Sequence, residues 1–132
     1  MSRFTVLLVE DDDPLRECLA EVLARQGWRV QATGSGLEAV EIARAAPPDF
    51  SLLDLHLPGM SGLDVLLEIQ RRVRPIPSIM MSGAATHEEK RTALDRGVFR
   101  FLAKPLDLNH LRGSVDLLIR HHFGPRGGQP RS

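Results

Sequence analysis

The sequence has one cysteine, no surplus of either charge and no long apolar run, and each of these scarcities removes a class of protein. A single cysteine cannot close an internal disulfide, which fits a chain kept in a reducing compartment. Seventeen basic residues meet seventeen acidic ones. The basic excess of a general nucleic-acid or membrane-surface binder is therefore missing. No apolar stretch approaches the roughly 18 residues of a membrane-spanning helix. The first residues, Met1-Ser2-Arg3-Phe4, run straight into a strand pattern rather than a signal peptide. The expectation is a cytoplasmic protein that touches neither membrane nor nucleic acid directly. Its 132 residues are enough for one domain with a buried core.

What is present is alternation. Strand-like runs at residues 4–9, 28–32, 50–53, 76–81 and 98–103 are each followed by a helical pattern. Asp13-Pro14 reads as an N-cap acid with proline at the first helical position. Leu15, Cys18, Leu19, Val22 and Leu23 then recur at helical spacing, with Gly27 as the stop, and Cys18 reads as a small core residue. Ser35 to Glu38 and Thr86 to Glu89 have the form of capping boxes. Leu37, Val40 and Ile42, with the alanines, are expected to form the apolar face of the second helix. Leu63, Leu66, Leu67 and Ile69 do so for the third, at 61–73. Asp107 caps a last helix built on Leu111, Val115, Leu118 and Ile119. The order predicts an α/β fold, a (βα)5 doubly wound five-stranded parallel sheet. The domain is expected to span 1–123. Residues 124–132, without a single apolar side chain, read as a disordered tail or linker stub.

Chemistry collects at strand ends. The apolar run 50–53 delivers one acid, Asp54, to its C-terminal end, and a lone carboxylate there is costly unless it has partners or a task. Glu10 and Asp11 follow the first strand, Ser82 follows the fourth and Lys104 follows the fifth. In a doubly wound sheet these ends lie on one edge, so the residues converge. Carboxylates held together repel one another, and a hard divalent cation such as Mg²⁺ relieves the repulsion. Singly, each residue reads as a cap, a turn or a surface group. Gly34-Ser35-Gly36 is a turn before a capped helix, the five histidines lack zinc spacing, and Arg126 and Arg131 are too sparse for nucleic-acid binding.

Four stretches together resemble a known family. They are Leu7-Leu8-Val9-Glu10-Asp11-Asp12, the run from Leu53 to Gly62, Met80-Met81-Ser82-Gly83, and Gly97 through Phe101-Leu102-Ala103-Lys104-Pro105. The chain is similar, over about residues 4–122, to the CheY-like receiver domains of two-component response regulators. The resemblance implies the flavodoxin-like strand order 2-1-3-4-5. It implies Asp54 as phosphoacceptor, served by a histidine kinase, a phosphotransfer protein or a small phosphodonor. Mg²⁺ would be held by Asp11, Asp54 and the His56 carbonyl, with Glu10 acting through water. Lys104 and Ser82 would neutralise the phosphoryl group, while Ser82 and Phe101 would form the switch. A cis Lys104-Pro105 bond would aim the lysine. Such a chain is a phosphoacceptor rather than an enzyme. Its output would pass through the face of the fourth helix, fifth strand and fifth helix to a partner or to an effector domain absent from this sequence. It would be a monomer or a phosphorylation-dependent homodimer.

Phe101 stands where the family usually has tyrosine, and Ala84 offers no charge to orient a hydrolytic water. Two rival readings remain. A receiver that signals by binding alone is disfavoured by the complete acceptor set. A metal-dependent phosphatase with an aspartate nucleophile would typically carry a second aspartate two residues on, where this chain has His56.

Overall fold

The structure, a computed structural model, describes residues 3–124, so the tail expected from residue 124 falls outside it apart from Gly124. Five strands alternate with five helices: β1 (Thr5–Val9), α1 (Asp13–Ala24), β2 (Arg29–Thr33), α2 (Gly36–Ala45), β3 (Phe50–Asp54), α3 (Gly62–Arg72), β4 (Ser78–Ser82), α4 (His87–Asp95), β5 (Arg100–Ala103) and α5 (Leu108–Phe123). All pairings are parallel and the order is β2-β1-β3-β4-β5, the expected flavodoxin-like topology.

Burial explains the order. Every residue of β3 and β4 is buried, as is all of β1 after Thr5, so these take the middle. Arg29 and Arg100 mark the two edge strands, β2 and β5, where a charged side chain can reach water. Residues alternate across the sheet. Leu7, Val9, Leu53 and Met80 face one core with α2, α3 and the start of β5. Val6, Leu8, Leu52 and Ile79 face a second core with α1 and α5. An aromatic group belongs to the second: Phe4 lies 5.0 Å from Phe123, and Trp28 packs edge-on to Phe50 at 5.5 Å.

The helices start where short polar side chains accept the free amides. Ser61 and Thr86 form complete capping boxes with Asp64 and Glu89. Ser35 accepts from the Glu38 amide, which is half of the expected box. Asp107 accepts from the amides of Asn109 and His110. The first cap is Asp12, one residue earlier than Asp13; its carboxylate takes the Leu15 amide, and Asp13 is the first helical residue. Strands β4 and β5 begin two residues later than the apolar pattern suggested, at Ser78 and Arg100.

Two inward assignments are overturned. Cys18 is exposed, because the buried stripe of α1 narrows to Leu19 and Leu23. Leu37 is 72% exposed, because Gly36, Ala39, Val40 and Ala43 form the close-packed side of α2. On α3 the fully buried residues are Gly62, Val65, Leu66 and Ile69, leaving Leu63 and Leu67 at the margin.

Candidate functional site

The site forms where β1, β3, β4 and β5 end. Main-chain bonds bind these ends together: the Leu55 amide donates to the Met81 carbonyl at 2.8 Å, and the Lys104 amide donates to the Ser82 carbonyl at 2.9 Å. Glu10, directly after β1, donates its amide to the Thr33 carbonyl at 3.0 Å. Its side chain is fully buried. Glu10 Oε2 accepts from the Asp12 amide at 3.1 Å. Lys104 Nζ lies 2.6 Å from Glu10 Oε1, an ion pair without the direction of a good hydrogen bond, and among the described residues no other group satisfies that oxygen.

The same ammonium lies 3.2 Å from Asp54 Oδ2. Asp54 Oδ1 accepts from the His56 amide at 3.3 Å. One lysine thus serves two buried carboxylates, and the balance is legible in the protonation of Asp54. Burial, then the neighbouring negative charge of Glu10, push the Asp54 carboxyl up from 3.8 to about 6, while Lys104 pulls it back down. Burial works against the lysine's own charge, yet its contacts with Glu10 and Asp54 win and hold its pKa above the ordinary lysine value.

Asp11 completes the acidic group from the exposed side. Carboxylate oxygens of Glu10, Asp11 and Asp54 lie within 4.8 Å of one another. Three hard oxygen donors this close, with one lysine among them and one donor open to solvent, fit a small divalent cation. The cluster carries more negative charge than Lys104 offsets. The residues therefore suit Mg²⁺ on charge and donor chemistry.

Glycine makes the approach to Asp54 possible. The Gly62 amide donates to the Leu55 carbonyl at 2.7 Å. A Cβ at position 62 would stand 2.1 Å from the Asp54 carbonyl oxygen, so no other residue fits there without moving β3 or α3. Lys104-Pro105 is cis.

Ser82, one step past the residue that pairs with Asp54, is buried and engaged elsewhere. Its Oγ accepts from the Ala84 amide at 3.1 Å and meets His56 Nδ1 at 3.2 Å. The other ring nitrogen, Nε2, is 3.2 Å from Glu89 Oε2 on α4. Phe101 is half-buried against the α2–α3 side, with Lys90 Nζ of α4 6.0 Å from its ring centroid. The structure thus brings Glu10, Asp11, Asp54 and Lys104 into one cluster and holds Ser82 at its edge, while Phe101 belongs to the packing of α4. The sequence pointed to the His56 ring only as a group on which hydrolysis would depend, and it did not single out Glu89 as the ring's partner. The one signal for Glu89 was its capping box, which uses only one of its carboxylate oxygens.

Most of the chain is similar to known proteins. The pattern of the family described as "Response regulator receiver domain" matches residues 6–116. The chain is 39% identical over 115 residues to the transcriptional activator protein PfeR of Pseudomonas aeruginosa, covering 87% of this chain and 37% of that protein. It is 37% identical over 127 residues to the transcriptional regulatory protein CseB of Streptomyces coelicolor, covering 96% of this chain and 53% of that protein. The chain therefore spans about half or less of these curated relatives. Among solved structures, the signal receiver domain of a putative LuxO repressor protein from Vibrio parahaemolyticus superimposes with a TM-score of 0.84 at 28% identity, covering 90% of this chain and 92% of that one.

Proposed function

The chain belongs to the response regulator receiver domain family of two-component signalling, and from that premise we propose that it accepts a phosphoryl group on Asp54 and converts the added charge into a change of surface. The observation that carries this reading is the shared lysine, with Nζ 2.6 Å from Glu10 and 3.2 Å from Asp54 beside three clustered carboxylates. Phosphoryl transfer depends mainly on positioning and on fixed charge. With a pKa of about 6, Asp54 is largely ionised at neutral pH and able to act as nucleophile.

In the proposed transfer, an Asp54 carboxylate oxygen bonds to phosphorus as the bond from phosphorus to the donor's imidazole nitrogen breaks, leaving an acyl phosphate. Lys104 stays beside the reacting carboxylate and neutralises phosphoryl charge. Ser82 donates its hydroxyl to a phosphoryl oxygen. Asp11, Asp54 and the main-chain carbonyl of His56 would hold Mg²⁺, with Glu10 behind them, and the bound ion supplies positive charge against the phosphoryl oxygens. Phe101 turns inward as Ser82 moves, and the face of α4, β5 and α5 changes with it.

The donor is a sensor histidine kinase, a phosphotransfer protein or a small phosphodonor. The output is a partner protein or an effector domain of a longer regulator, since the relatives' names describe transcriptional regulators of greater length. The receiver itself is read as cytoplasmic, touching neither nucleic acid nor membrane, and as a monomer or phosphorylation-dependent homodimer. Among the described residues no helix is long and apolar enough to cross a membrane. Intact-mass spectrometry after incubation with acetyl phosphate, with and without Mg²⁺, tests the reading. The expected result is one Mg²⁺-dependent phosphoryl adduct that Asp54→Asn abolishes. An adduct that persists without Asp54 would refute it.

A further inference from the structure

Ser82, His56 and Glu89 form a chain of hydrogen bonds that runs from the edge of the acidic cluster to the first turn of α4. The number of hydrogens along it is fixed. A serine hydroxyl has one hydrogen to donate, and a neutral imidazole has one donor nitrogen and one acceptor nitrogen. A carboxylate only accepts. Glu89 Oε1 takes the Thr86 amide at 2.9 Å, as the capping box requires, and Oε2 is left facing His56 Nε2 at 3.2 Å. Nε2 must therefore carry the ring hydrogen, and Nδ1 is bare. Ser82 Oγ already accepts from the Ala84 amide at 3.1 Å, so its contact with bare Nδ1 can be made only by donating its own hydrogen.

We propose that Glu89 is a positioning residue for phosphoryl transfer, which fixes the tautomer of His56 and thereby holds the Ser82 hydroxyl hydrogen away from the acceptor site. This rests on the reading of Asp54 as phosphoacceptor and of Ser82 as donor to the phosphoryl group. Before Ser82 can donate to a phosphoryl oxygen it must leave His56, and the carboxylate behind the ring makes Nδ1 a better acceptor and strengthens the hold. Because one carboxylate both caps α4 and orients the ring, the start of α4 is coupled to the availability of the hydroxyl. Loss of the phosphoryl contact returns the hydrogen to the ring.

Glu89→Gln separates the two tasks of this side chain. Glutamine serves a capping box as glutamate does, its oxygen taking the Thr86 amide. Its NH₂ group then faces Nε2 and demands an acceptor there, so the ring hydrogen moves to Nδ1. Nδ1–H can donate to the remaining lone pair of Ser82 Oγ, which frees the hydroxyl hydrogen. The experiment uses the full chain at pH 8, above the ordinary histidine range. Imidazole ¹⁵N spectra are expected to show the Nε2–H tautomer of His56 in the wild type and the Nδ1–H tautomer in Glu89→Gln. Adduct formation from acetyl phosphate with Mg²⁺ is expected to quicken about fivefold in Glu89→Gln, the effect of releasing one hydrogen bond. In a Ser82→Ala background the substitution is expected to change nothing. The same tautomer in both proteins overturns the proposal, as does a flip without a change of rate or a rate gain that survives Ser82→Ala. If the wild type takes no phosphoryl group at all, the acceptor reading fails, while the spectra still decide the tautomer.

Discussion

The strained protonation of Asp54 has a measurable cost in stability, and removing the charge recovers it. Asp54 is 4% exposed. Its carboxyl titrates at about 6 in the folded chain against an ordinary value of 3.8, through burial first and Glu10 second. Between these values the folded chain keeps a proton that the unfolded chain has already released. The folded state binds more protons there, so stability falls as pH rises through that window. Below it both states are protonated and no penalty exists; above it the penalty is complete. The difference corresponds to on the order of 3 kcal/mol. Asparagine has nearly the same shape and cannot ionise. Asp54→Asn is therefore expected to be more stable than the wild type by about that amount at pH 7.5, with most of the gain gone at pH 4. Lys104 retains Glu10 as its partner in the variant. The assay is urea unfolding in EDTA, followed by the fluorescence of Trp28, which packs against Phe4 and Phe50. Taking the difference between the two proteins at each pH cancels the titrating groups that do not interact with Asp54, leaving Asp54 with its partners Glu10 and Lys104. An asparagine variant that is less stable at pH 7.5, or that gains equally at both pH values, would refute the reasoning.

Three further outcomes are expected. Lys104→Met leaves fully buried Glu10 without its cation, and in EDTA should cost about 3–5 kcal/mol by the same urea assay, with Mg²⁺ restoring part of it. Gly62→Ala drives a Cβ to 2.1 Å from the Asp54 carbonyl and should cost about 3 kcal/mol, while acetyl phosphate labelling of the folded fraction falls because β3 must shift. Gly113→Ala, on α5 with open space around the new methyl, should instead raise stability by about 0.5–1 kcal/mol in thermal unfolding.

Most of the fold was legible because its signals are local. Apolar runs, capping residues and glycine stops each act within a few residues, and the strand order followed from motif resemblance. The cluster of Glu10, Asp11, Asp54 and Lys104 was legible for a topological reason, since parallel strands bring their C-terminal ends to one edge. What stayed hidden depends on fine geometry. Helical spacing marks a broad apolar face that rightly includes Val40 and the alanines, but only packing decides that Leu37 falls outside it. The hydrogen bond from His56 to Glu89 joins residues 33 positions apart, and no pattern of residue types announces it. The lysine's contact with Glu10 is likewise a matter of reach, read only from the 2.6 Å separation.

The wall between the two cores has a consequence for how this chain can vary. Leu66 and Leu19 lie in separate compartments on opposite faces of the sheet. Substitutions that share no partners add their effects to within about 0.3–0.5 kcal/mol, whereas neighbours in one compartment couple. Substitutions around Leu19 and Leu23 of α1 can therefore accumulate and repack with little effect on the packing around Val65, Leu66 and Ile69 of α3. The five strands thus let the two halves of the core be revised one at a time.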